Sequence, residues 1–115
     1  MQLQDVGDVI ASRLLEIREP SGSIKEVTVS IGRPRAFPDP PHDYFVPYHI
    51  VGIGPEKVHY AAGVDAVQAL QLVMQVIGDH LAALNGDSGG AMSWDAGQAE
   101  GDFGFPVYKA DPEAG

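Results

Sequence analysis

The chain has 115 residues, of which 44% are hydrophobic and 20% are charged, a balance typical of a folded domain. A chain of this length buries roughly two thirds of the surface that its unfolded form exposes, so we predict a single domain spanning residues 1–115. The formal net charge of −9 disfavours nucleic acid as a partner, because a phosphate backbone would be repelled. The absence of cysteine excludes disulfides and thiolate metal sites.

The start of the chain lacks the basic residues and the apolar run of a signal peptide. No stretch approaches the roughly 18 consecutive apolar residues that a membrane span needs. We therefore expect a cytoplasmic protein without a membrane partner.

The first half of the chain is predicted to contain two β-hairpins after a loose lead-in over residues 1–10. Ser12–Arg18 and Ile24–Ile31 form the first hairpin, because apolar and polar residues alternate and Pro20 and Gly22 suit the turn. Gly32–His42 contains four prolines and is predicted to be a stiff connector.

Tyr44–Val51 and Lys57–Ala62 are predicted to form the second hairpin. Their apolar residues lie at even positions, which predicts Tyr48 opposite Tyr60 and His49 opposite His59 on the outer face. Such a histidine pair could bind a metal weakly, but solvated outer-face histidines are the favoured interpretation, and neither a metal nor a cofactor is expected.

Ala66–Leu84 is predicted to be one long amphipathic helix that covers the sheet. Asp65 has the chemistry of an N-cap with Gln68 three residues later, and Asn85-Gly86 suits the helix end. His80 lies in the apolar stripe, which predicts a partly buried histidine with a hydrogen-bond partner.

After the helix we predict one or two short strands, Ala91–Asp95 and Phe103–Val107, and a frayed tail over residues 108–115. The predicted fold class is thus α+β, with an antiparallel sheet of about four strands in two hairpins and one helix packed on it. The aromatic residues near the C-terminus suggest a surface for a protein partner, made by Trp94, Asp102, Phe103 and Phe105.

The string Gly86-Asp87-Ser88-Gly89-Gly90 has the letters that surround the nucleophile of chymotrypsin-like proteases, with His42 and Asp43 upstream. Those proteases need two β-barrels to align their triad, and this chain is too short for them. We therefore interpret the string as a glycine-rich turn and predict no catalytic residues.

Three motifs stand out in the chain: Pro47-Tyr48, the stretch GVDAVQALQL over residues 63–72, and GDFGFP over residues 101–106. Together they resemble a family of small bacterial proteins known only as a domain of unknown function. The resemblance spans about Leu14 to Val107 and implies a compact bacterial domain without an assigned activity.

Two hypotheses about function follow from the sequence. The favoured one is a non-enzymatic interaction protein that neutralises or regulates a basic protein partner, because the chain is small and acidic. The alternative is a small-molecule-binding or hydrolytic domain that uses His and Asp residues near the helix ends. The oligomeric state stays open, and a homodimer is compatible with the sequence.

Overall fold

The computed structural model describes residues 3–89, 91–98 and 101–106. Within them, one helix covers one face of an antiparallel sheet and is followed by a short strand, which confirms the predicted α+β class. The elements in chain order are β1 (Val9–Arg18), β2 (Ile24–Gly32), β3 (Arg35–Ala36), β4 (Tyr44–Val51), β5 (His59–Gly63), α1 (Ala66–Ser88) and β6 (Ala91–Ser93).

The sheet contains six strands in the order β3-β4-β2-β1-β6, with β5 paired to β4. β2 pairs with the end of β4 and β3 pairs with its beginning, so the proline-rich segment contributes a strand rather than only a connector. β1 begins at Val9, and Val6 is buried, so part of the predicted lead-in belongs to the folded structure.

The first hairpin has the predicted inward residues, because Leu15 pairs with Val27 and both are buried. Gly22 lies in the turn with φ of 93°, a left-handed conformation that glycine adopts at little cost. The alternation of apolar and polar residues therefore predicted these two strands correctly.

The predicted register of the second hairpin is wrong by one residue. Tyr48 pairs with His59, and Pro47 pairs with Tyr60. The assumption that the apolar residues at even positions all face the core fails, because both faces of β4 are partly covered. On the side away from the helix, Phe45 and Tyr60 pack against Phe37. Tyr60 is therefore in an apolar environment although it does not face the helix.

The helix begins as predicted, since the Asp65 side chain accepts a hydrogen bond of 2.8 Å from the backbone N–H of Gln68. The Gln68 side chain in turn accepts from the backbone N–H of Val64. The predicted end is wrong: α1 continues past Asn85 to Ser88, and Gly89 adopts the left-handed conformation with φ of 69°. The helix residues with no exposed surface are Ala69, Val73, Ile77 and Leu81.

By length and composition α1, with 23 residues, is apolar enough to cross a membrane, since an 18-residue window within it has a mean hydropathy of 1.2. The expectation of a protein without a membrane partner stays a prediction. The outer side of α1 carries uncharged residues such as Gln71 and Val67 where charged residues are more usual, and the inner side packs on the sheet.

The segment after the helix forms one short strand in the described residues, where one or two were predicted. β6 pairs with β1, and Met92 completes the core opposite Ile17. Residues 103–106 are not a strand, because Gly101 and Gly104 take positive φ angles of 82° and 77° that break the pleat. Val107 and the predicted tail lie outside the described residues.

Candidate functional site

The face of the sheet opposite α1 carries apolar side chains that no described element covers. Leu14 pairs with Thr28, which pairs with Val51, so these residues form one row across β1, β2 and β4. Leu14 is 54% exposed and Val51 39%, and Ile24 nearby is 56% exposed. We call the surface made by Leu14, Glu16, Ile24, Glu26 and Val51 the open face.

The open face also contains a repulsive pair of charges. Glu16 of β1 lies directly opposite Glu26 of β2, an arrangement of like charges that destabilises a sheet. The ion pairs among the described residues, Lys25–Glu19 and Arg33–Asp8, do not include either carboxylate. Arg18 lies on the same face, opposite Ile24, but no described ion pair joins it to either carboxylate. A cationic group placed over Glu16 and Glu26 would therefore meet two acids without an ion-pair partner among the described residues.

Two shallow grooves connect the open face to the edge strand β6. Their volumes are about 300 Å³ and about 380 Å³, and both are lined by Glu16 and Trp94. Trp94 was predicted as part of a partner surface, and the structure places it at the margin of the open face.

The other residues of the predicted partner surface surround Arg13. The Arg13 guanidinium carbon lies 3.9 Å from the centre of the Trp94 ring and 4.8 Å from that of Phe105. Its Nη1 donates a hydrogen bond of 3.1 Å to the Phe103 carbonyl. Cation–π contacts of this kind stabilise a partly buried arginine. The Phe103 side chain is itself buried in the core.

Asp102 organises the loop that holds this stack. Its carboxylate accepts hydrogen bonds of 2.9 Å from the backbone N–H groups of Gln98 and Gly104. These bonds lower the pKa of Asp102, because they favour the charged form. The structure thus gives Asp102 and Phe103 a structural role, and their use as a partner surface stays a prediction.

A second site lies beside the free edge of β5. The Tyr48 hydroxyl is 2.9 Å from Nδ1 of His80, which confirms the prediction of a partly buried histidine with a partner. Burial raises the pKa of Tyr48 to about 12, so its phenol is neutral. Since a neutral phenol is a good donor, we assign the proton of this bond to Tyr48 and the ring proton of His80 to Nε2.

His59 packs between these two rings. It stacks on Tyr48 with ring centres 5.5 Å apart and meets His80 edge-on at 4.9 Å. Burial lowers the pKa of His59, and the charges of Lys57 and His49 lower it further. Burial, followed by the charge of His59, also lowers the pKa of His80. Both imidazoles are therefore neutral near neutral pH.

Tyr48 and His59 border an open cleft of about 840 Å³, which we call the histidine cleft. It is lined by Tyr48, Lys57, His59 and Tyr60, with Leu3 and Val76 among the other walls. It lies beside α1, which contributes Val76 to one wall.

The predicted pairing of His49 with His59 is wrong, because His49 pairs with Ser30 on β2. His49 points to the outer face, where its Nε2 donates a hydrogen bond of 3.0 Å to the Glu56 carbonyl. In the described part of the chain, no group of three or more His, Cys, Asp or Glu side chains is placed to hold a metal ion.

The protease-like string also differs from its predicted form. Gly86, Asp87 and Ser88 form the last turn of α1, and only then does the chain turn at Gly89. The Ser88 hydroxyl donates a hydrogen bond of 3.0 Å to the Asn85 carbonyl. In the described residues Ser88 is thus part of a helix terminus.

The fold defines a class of small α+β domains in which one helix covers one face of a meandering antiparallel sheet. Within that class, the chain belongs to the family described as a domain of unknown function (DUF6968), whose model matches residues 11–107. No curated protein and no solved structure shows significant similarity to the chain.

Proposed function

We propose that this domain is a non-enzymatic interaction module that binds a basic protein partner on its open face. The observation that carries the proposal is the combination, on one uncovered surface, of three exposed apolar side chains and a pair of facing carboxylates. Apolar residues supply binding energy at an interface, and charges select the partner and speed association.

The charge of the partner follows from the carboxylates. Glu16 and Glu26 repel each other in the free domain, and a lysine or arginine from a partner would relieve that repulsion. The net charge of −9 adds a longer-range attraction for a basic protein. A bacterial, cytoplasmic setting, expected from the sequence, is part of this proposal, as is the regulation or neutralisation of the partner.

A comparison of the wild type with two variants that each introduce a lysine tests the proposal. The tagged wild-type domain, Leu14→Lys and Val67→Lys would be used to capture proteins from lysate of the source cell. Leu14 is central in the open face, and Val67 is 64% exposed on the first turn of α1 and serves as the matched control.

We expect one basic protein to be retained by wild type and by Val67→Lys and lost with Leu14→Lys. The loss should exceed about tenfold, because the change removes an apolar contact and adds a like charge to the interface. Equal capture of the same proteins by all three forms would contradict the proposal, as would an acidic partner.

A further inference from the structure

The histidine cleft is separate from the open face, and its polar walls have one sign of charge. Among the residues that the structure describes, its lining contains Lys57 and His59 but no aspartate or glutamate. In a chain with sixteen acidic residues, such a concentration of basic groups is unusual. His80 contacts the His59 ring edge-on, behind the wall of the cleft.

His59 is held in place by ring contacts, and its imidazole has no hydrogen-bond partner among the described residues. Tyr48 and His80 fix its ring from two sides, and the Tyr48–His80 hydrogen bond holds those two side chains together. No other described residue makes a hydrogen bond to the His59 imidazole. A fixed ring with unsatisfied nitrogens at a cleft wall is a preorganised donor or acceptor for a ligand.

The remaining walls of the cleft are largely apolar. Leu3, Val58 and Val76 contribute aliphatic surface, and Gln4 adds an uncharged polar side chain. Small-molecule sites typically combine such walls with a few polar groups that fix the orientation of the ligand.

We propose that the histidine cleft binds a small organic anion, with its carboxylate between Lys57 and His59 and its apolar body against Leu3 and Val76. An anion there would be attracted by the Lys57 ammonium group and would accept a hydrogen bond from the His59 ring. Because the bound charge also favours the imidazolium form of His59, binding takes up a proton and strengthens as the pH falls.

Benzoate is a suitable probe, and benzamide is its neutral analogue of nearly the same shape. Each would be titrated into the full-length domain while the imidazole resonances of all four histidines are followed by NMR. We expect benzoate to shift the His59 resonances saturably and to raise the pKa of His59. Affinity should increase from about pH 7.5 to about pH 5.5 as that imidazole becomes charged.

Two lysine variants distinguish binding in the cleft from the general effect of removing one positive charge from the domain. Lys57→Gln should weaken benzoate binding about fivefold, the effect of one exposed ionic contact. Lys25→Gln should leave it unchanged, because Lys25 pairs with Glu19 at the hairpin turn. Both lysines are exposed, so neither change should affect folding.

The proposal is overturned if benzoate produces no saturable shift at His59 or if benzamide binds as tightly as benzoate. If inorganic phosphate shifted the His59 resonances with the same affinity as benzoate, the apolar walls would not contribute to binding. None of these outcomes bears on the open face, since the two surfaces do not share a residue.

Discussion

Gly63 lies where β5 passes closest to the first turn of α1, and this contact sets the position of the helix on the sheet. A Cβ atom added at Gly63 would lie 2.6 Å from the backbone nitrogen of Ala69 and 2.9 Å from the carbonyl carbon of Gln68. These are backbone atoms, which a change of side-chain rotamer cannot move. The added methyl group of Gly63→Ala must therefore push α1 away from β5. We expect a loss of about 3 kcal/mol in the free energy of unfolding, the upper end for overpacking.

Gly86→Ala is the matched control, because a Cβ at Gly86 meets nothing within 4 Å and the residue lies in α1. Replacing a helical glycine with alanine should stabilise the domain by up to about 1 kcal/mol. Urea unfolding of wild type and both variants measures the difference. If Gly63→Ala were as stable as Gly86→Ala, the close approach of helix and strand would be refuted.

Three further predictions concern stability. Arg13→Met should lower the free energy of unfolding by about 1–2 kcal/mol, because it removes the cation–π stack and the hydrogen bond to the Phe103 carbonyl. An unchanged midpoint of urea unfolding would contradict this prediction. The pKa values of His59 and His80 are lowered on folding, so the unfolded chain binds protons more readily. The free energy of unfolding should therefore fall as the pH drops through about 6.5, the pKa of unfolded histidine. His59→Gln should make this pH dependence less steep when thermal unfolding is followed by calorimetry at a series of pH values. Asp65→Ala should lower the melting temperature by roughly 4 °C through loss of about 1 kcal/mol of N-cap stabilisation, whereas Asp79→Ala should have little effect.

The sequence predicted well the elements that local chemistry determines. The N-cap at Asp65 and the helical period of Ala69, Val73 and Ile77 depend only on residues within a few turns. The first hairpin was equally predictable, because one of its faces is buried and the other is not.

The register of the second hairpin could not be predicted from the alternation of apolar and polar residues. Phe37, which lies outside that hairpin, covers the outer side of Phe45 and Tyr60, so alternation no longer identifies the core side. The mistaken register paired His49 with His59 and hid the contact of Tyr48 with His59. The histidine cleft was therefore missed, although the partial burial of His80 was predicted.

The open face was also missed, for a different reason. Leu14 and Val51 are single apolar residues at positions that alternation assigns to solvent, and isolated exposed residues of this kind are common. Only the pairing of three strands shows that they form one row with Thr28. Likewise, Arg13 reaches Phe103 across 90 residues of sequence, a separation that no local pattern predicts.

Zero-length cross-linking of the captured complex tests the proposed interface most directly. A carbodiimide joins carboxylates to lysines that touch them, and mass spectrometry identifies the linked residues. We predict links from Glu16 and Glu26 to lysines of the partner, because both carboxylates lie on the open face. Links concentrated instead at Asp79, on the exposed side of α1, would contradict the proposed interface.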